Sequence, residues 1–199
     1  FISQKWMFEN EEYGIVLEDD DVPSQSFFPF CKELLEKYRY DDRIGIICGM
    51  NNLGENRSSP YSYTFARTGS IWGWATWKRN VDLWEEHYDW LNDKYALDLL
   101  EKSLGKNKYK KLLKSSIEHE KSGRAHYESI LASSILLNSK LNIIPNKNLI
   151  SNIGFENDAT HTKGKKSKHA NMPRYELKLP LIHQENIFRS LRLDKKFEK

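Results

Sequence analysis

Four consecutive carboxylates, Glu18-Asp19-Asp20-Asp21, directly follow the apolar run Tyr13-Gly14-Ile15-Val16-Leu17. Adjacent negative charges repel, so the cluster gains little stability by itself, and a divalent cation removes that repulsion. Hard ions such as Mg²⁺ and Mn²⁺ take oxygen ligands and commonly share them with a substrate phosphate. Open α/β sheets also bind their ligands at strand ends. The run therefore reads as a metal–diphosphate site. The alternative is an exposed acidic turn, or an acidic N-terminus for the helix that follows.

Three further clusters carry chemistry. In Ser70-Ile71-Trp72-Gly73-Trp74-Ala75-Thr76-Trp77, indole faces can pack on sugar C–H surfaces and their N–H groups can donate to hydroxyls. Gly73 permits close approach of the backbone to a ligand. The same segment could equally be a hydrophobic wedge, with at least one tryptophan belonging to the core. His161, among short polar residues after a strand and a glycine turn, is a candidate ligand for a transition metal or a solvated side chain. Glu128, with His126 two residues earlier, opens an apolar helix. It could act as a general base, or simply be the acid that a helix N-terminus favours.

Elements that must position these residues follow from the pattern. Residues 13–17 and 43–48 read as buried strands, the second closed by Gly49. Ser26 is placed to cap a helix with Phe27, Phe30, Cys31, Leu34, Leu35 and Tyr38 on its inner face and Pro29 in its first turn. Residues 51–61 form an Asn/Ser/Gly-rich loop, and residues 63–77 are extended in part. From about 81 to 140 the pattern is helical, with breaks near Leu91-Asn92, Gly105 and Gly123. Short strands follow at 141–144 and 149–153. Strands alternating with helices indicate an α/β protein with a helical insertion.

Composition narrows the function classes. A length of 199 residues with 39% hydrophobic content suits one cored domain. The net charge of +3 is too small to argue for nucleic acid. Residues 102–124 nevertheless hold eight Lys/Arg, and residues 163–174 hold five with no acid. These are solvated faces, or contacts to a diphosphate, an anionic acceptor or an acidic membrane surface. Cys31 and Cys48 sit in apolar patterns as buried small hydrophobes, which suits a reducing compartment. No apolar run has the length of a membrane span. The chain opens on Phe1 in what reads as the end of a helix, and so reads as a piece of something longer.

Taken in order, these pieces resemble bacterial glycosyltransferases of the GT-A fold, the nucleotide-diphospho-sugar transferases similar to the N-acetylglucosaminyltransferase I family. The resemblance rests on Glu18-Asp19-Asp20, Pro23, Phe27-Phe28, Arg43-Ile44, Trp72-Gly73-Trp74, and Asn148-Leu149-Ile150-Ser151-Asn152-Ile153-Gly154-Phe155 leading into Asp158-Ala159-Thr160-His161. It implies a partial GT-A fold, with a central mixed sheet, flanking helices and an insertion over about 80–140. Residues 1–162 would be its metal, donor-sugar and acceptor part and 163–199 a basic extension, the nucleotide-gripping strands lying upstream.

The resemblance also implies roles. Asp20 would ligate Mn²⁺ or Mg²⁺, with Asp21 an alternative through a shifted Asp19-x-Asp21 frame, and His161 would be a late metal or diphosphate ligand. Glu18 and Asp19 would face the donor, and Trp72, Gly73 and Trp74 would shape the donor–acceptor pocket. Relatives carry an Asp-Tyr-Gln-Trp-like segment where this chain has His126-Tyr127-Glu128-Ser129. The base is then Glu128 or His126, unless the chemistry is weakened or the correspondence slips. The implied activity moves a sugar from a nucleotide-diphosphate donor to a carbohydrate or glycoconjugate hydroxyl, as in bacterial polysaccharide synthesis. It would take place in the cytoplasm, with peripheral contact to the inner membrane face through the basic stretches. A catalytically degenerate or lectin-like module using the tryptophans and bound Ca²⁺ is the main rival, and a metal-dependent phosphoesterase a third class.

Overall fold

The computed structural model describes residues 1–154 and 169–197. In chain order the elements are helix α1 (Ile2–Asn10), strands β1 (Tyr13–Val16) and β2 (Asp21–Pro23), helix α2 (Phe27–Lys37), and strands β3 (Ile44–Cys48), β4 (Tyr63–Ala66) and β5 (Trp74–Trp77). Helices α3 (Lys78–Val81), α4 (Lys94–Leu104), α5 (Lys106–Ser122) and α6 (Tyr127–Leu137) come next, then strands β6 (Leu141–Pro145) and β7 (Ile150–Asn152) and helix α7 (Leu191–Phe197). The protein is α/β with a central mixed sheet and flanking helices. No helix among the described residues is long and apolar enough to cross a membrane.

The chain divides into two compact units, one of Phe1–Glu12 with Lys78–Lys140 and one of Tyr13–Trp77 with Leu141–Lys199. The second holds the sheet, in the order β1-β5-β3-β6-β4. Strands β3 and β6 run parallel, and every other neighbouring pair is antiparallel. Strands β3, β4 and β5 are buried along their whole length, as their continuous apolar character requires. Helix α2 packs on the sheet through Phe27, Phe30, Cys31, Leu34 and Leu35, and the Trp77 indole donates to Leu35 O at 3.1 Å. Cys31 and Cys48 are both free thiols in this core, and burial pushes Cys48 up to about 12.

Helix α2 starts where Ser26 predicts, but Ser26 makes no side-chain cap bond. Its Oγ accepts the Leu177 N–H instead. The Glu176 carboxylate, from the far end of the chain, accepts the N–H groups of Gln25 and Ser26 at 3.0 and 2.8 Å. A hydrogen bond from the Ser26 side chain, and then these backbone donors, hold its pKa below the usual carboxylate value. Residues 169–197 make several such ties to this unit. Asn171 N donates to Asn152 O, Tyr175 N to Asn148 O and Ser190 N to Phe65 O.

The first unit is helical. Asp93 caps α4 by accepting the Tyr95 and Ala96 N–H groups. Helix α5 ends at Gly123, whose left-handed backbone (φ 63°) is one that a residue without a Cβ adopts at least cost. Helices α4, α5 and α6 pack pairwise against one another. At their contact the Ser129 Oγ lies 2.7 Å from His119 Nδ1 and 2.5 Å from the Tyr88 hydroxyl.

Candidate functional site

Strand register brings the candidate residues of the second unit together. Val16 and Cys48 both pair with Trp74, so the ends of β1 and β3 and the start of β5 lie at one end of the sheet. Parallel β6 ends on the same side as β3. Over that end runs the short β2–β7 ladder, with Asp21 opposite Asn152 and Pro23 opposite Ile150. This is the end at which α/β sheets bind ligands.

Two glycines make the close approach possible. Gly73 has φ +59°, and a Cβ there would meet Ile150 Cδ1 at 2.5 Å. Gly49 N donates to Gly73 O at 2.7 Å, and a Cβ on Gly49 would meet the Ile150 and Phe27 side chains. Only hydrogen fits at either position, so β7 lies directly against the Trp72-Gly73 turn.

The four carboxylates separate into different environments. Asp21 opens β2, is buried, and points inward. Its Oδ2 accepts the N–H groups of Gly73 at 2.8 Å and Glu18 at 3.2 Å, and its Oδ1 accepts Asn152 Nδ2 at 3.3 Å. Burial raises its pKa, opposed by these donors, and neighbouring Asp20 adds to the rise. Asp20, half-buried in the turn, accepts Asn152 Nδ2 on Oδ1 at 2.8 Å. Its Oδ2 packs against Gly154, where a Cβ would come within 1.9 Å. Asn152 Oδ1 in turn accepts Gly154 N at 3.1 Å. Glu18 is half-buried and Asp19 is exposed. The sequence left Asp20 and Asp21 open as ligands; the hydrogen bonds occupy Asp21 on both oxygens and leave Asp20 Oδ2 beside a glycine.

Trp74 and Trp77 are buried in the core, Trp74 completely. Trp72 is half-buried, packed against the core from its edge. Of the tryptophan pair assigned to the pocket, only Trp72 retains surface toward solvent, while Gly73 forms the bond to Asp21. Glu128 lies in the other unit, exposed in the first turn of α6, with half-buried His126 at the N-cap position. The His126 ring stacks on His119 at 3.8 Å, and its Nε2 lies 3.2 Å from Ser122 Oγ. Asp158 and His161 fall outside the described residues.

Oxygen donors at the end of the sheet suit Mg²⁺ or Mn²⁺. Asp20, with Asp19 and Glu18 beside it in the same turn, could contribute oxygens to such an ion. Among the described residues no three His, Cys, Asp or Glu side chains gather into a metal-holding group. Asn152 and Gly154 were not singled out by their chemistry, because an amide and a glycine carry no charge. The signal for them was their place in the Asn148–Gly154 stretch after β6. The sequence matches no protein-family model, and no curated protein matches it.

Proposed function

We infer that this chain is a metal-dependent glycosyltransferase of GT-A type, moving a sugar from a nucleotide-diphosphate donor to a hydroxyl acceptor. One observation carries the reading: Asp20 is clamped between the Asn152 amide and Gly154 at the strand end where β1, β3 and β5 meet. That cradle favours a carboxylate held in one orientation toward a ligand. A purely acidic turn has no need of it.

A bound Mn²⁺ or Mg²⁺ would neutralise negative charge on the departing diphosphate, which contributes several kcal/mol to such reactions. Asp20 would hold the ion, with Asp19 and Glu18 on the donor side. Asp21 fixes the turn to Gly73. Trp72 offers its ring to a sugar face. By the resemblance, Glu128, or alternatively His126, would be the base for the acceptor hydroxyl, a role typically worth about 10²–10⁴-fold. If a base acts in this way, the acceptor oxygen bonds to the anomeric carbon as the bond from that carbon to the phosphate oxygen breaks, and inversion follows.

A carbohydrate-binding module without turnover is the second reading, favoured by the half-exposed Trp72 ring beside the carboxylate turn. Titration calorimetry with UDP and GDP, with and without Mn²⁺, tests the first. Binding that requires Mn²⁺ supports it. Sugar binding without any metal-dependent nucleotide binding or donor hydrolysis favours the second.

A further inference from the structure

From Lys106 to Ile117 the chain carries five lysines (Lys106, Lys108, Lys110, Lys111 and Lys114) and no acid. All five fall in the first half of α5. That end of a helix carries the positive pole of the backbone dipole, which cations oppose. No acid lies in the first turn, and Gly105 supplies no side-chain cap. Lys106 and Lys108, in the first turn, are thus placed against the dipole, which does not reach Lys110, Lys111 and Lys114.

Lys106, Lys110, Lys111 and Lys114 are exposed. Lys114 approaches Glu118 at 3.8 Å, and Lys106, Lys110 and Lys111 have no ion-pair partner among the described residues. On neighbouring α4, Tyr95 is 70% and Leu99 46% exposed, one turn apart, with Lys102 following on the same side and paired to Asp98 at 2.6 Å. Helices α4 and α5 pack on each other and both pack on α6, burying Leu100 and Ser116. Each helix thus turns an exposed face away from its buried residue, and the two helices lie side by side.

We propose that this face of the α4–α5 hairpin docks the protein on an anionic lipid bilayer surface. The lysines meet headgroup phosphates, and Tyr95 and Leu99 enter the interfacial layer, where an amphipathic ring and an aliphatic chain both gain. A dissolved polyanion would reward the lysines but offer Leu99 nothing. The inference stands on the helical unit alone and is independent of the glycosyltransferase reading.

Vesicle flotation of the full chain is the test, using phosphatidylcholine alone and phosphatidylcholine with phosphatidylglycerol at a ratio of ~2:1. Binding to the mixed vesicles only is expected. Replacing Lys106, Lys110, Lys111 and Lys114 together by Gln should cut partitioning by roughly several hundred-fold, at about fivefold per lysine. Replacing the same four by Arg should preserve it. Tyr95→Ser with Leu99→Ser should abolish the fraction of binding that survives high salt. No flotation, flotation unchanged in the Gln variant, or retention on heparin or duplex DNA without flotation would each overturn the proposal.

Discussion

Asp21 Oδ2 accepts the Gly73 N–H at 2.8 Å, tying the acidic run to the tryptophan turn 52 residues later. The same oxygen accepts Glu18 N, so one buried atom closes the carboxylate turn and fixes its neighbour. Asp21→Ala strands the buried Gly73 N–H and the half-buried Glu18 N–H. It should lower the stability of the sheet unit by about 3 kcal/mol, since each unsatisfied buried group costs about 1–3. Asp21→Asn, which keeps one acceptor oxygen, should cost about 1 kcal/mol. Urea denaturation checks both. Unchanged stability together with loss of Mn²⁺-dependent nucleotide binding would instead make Asp21 a ligand.

Asp20 gives the opposite expectation. Asp20→Asn should leave the urea midpoint near wild type and abolish metal-dependent nucleotide binding. Gly154→Ala should mimic it through space alone, because the new Cβ would stand 1.9 Å from Asp20 Oδ2 and displace the carboxylate. A loss of about 10–100-fold in Mn²⁺ affinity is expected, as for other residues that orient a ligand. Calorimetry with Mn²⁺ and nucleotide measures it. Gly154→Ala with full metal dependence would remove Asp20 from the metal role.

What the sequence revealed and what it hid have physical reasons. Continuous apolar runs marked β3 and β6, and Gly105 and Gly123, both at positive φ, marked helix ends, because burial and such backbone are local demands. The run at 13–17 located β1 but not its burial: β1 is the edge strand of the sheet and only half-buried, with Leu17 exposed, because no second strand among the described residues covers its outer side. Strand β2 was invisible: it begins with Asp21, whose strand conformation depends on pairing with Asn152, far along the chain. Ser26 correctly located the start of α2, yet the cap comes from Glu176, 150 residues away, which no local pattern encodes. The 51–61 segment reads as a polar loop and is one. Its Asn51 and Asn56 are nevertheless buried, donating to Pro145 O and Thr64 Oγ1. Of the site, the carboxylates were legible by charge, whereas the amide and glycine that cradle Asp20 were not.

The helical unit should weaken in mild acid. Burial lowers the His119 pKa first, and the neighbouring His126 lowers it further, against partial compensation by Glu128 and Glu118. A histidine whose folded pKa lies below its unfolded value binds protons more tightly when unfolded. Its stabilisation is therefore present above the ordinary value of 6.5 and is lost as pH falls through 6.5 toward the lowered folded value. His119 Nδ1 also lies 2.7 Å from the Ser129 hydroxyl, so a charged ring must be accommodated within that contact. Urea midpoints followed at pH ~7.5 and ~5.5 should fall in wild type and change less in His119→Gln. Identical pH dependence in the two proteins would exclude His119 as the source.

Glu128 is exposed at the first turn of α6, where the helix dipole already favours a negative charge. That structural benefit and a role as base make different predictions. If Glu128 only serves the dipole, Glu128→Gln costs about 0.3–1 kcal/mol of stability and leaves catalysis alone. If it accepts the acceptor proton, the same variant binds nucleotide normally in the presence of Mn²⁺ while turnover falls by about 10²–10⁴-fold. Transfer assayed with saturating nucleotide-sugar, beside calorimetric affinity for the nucleotide alone, separates chemistry from binding. A defect confined to affinity would take Glu128 out of the proton-transfer step and leave His126→Gln as the variant to assay in the same way.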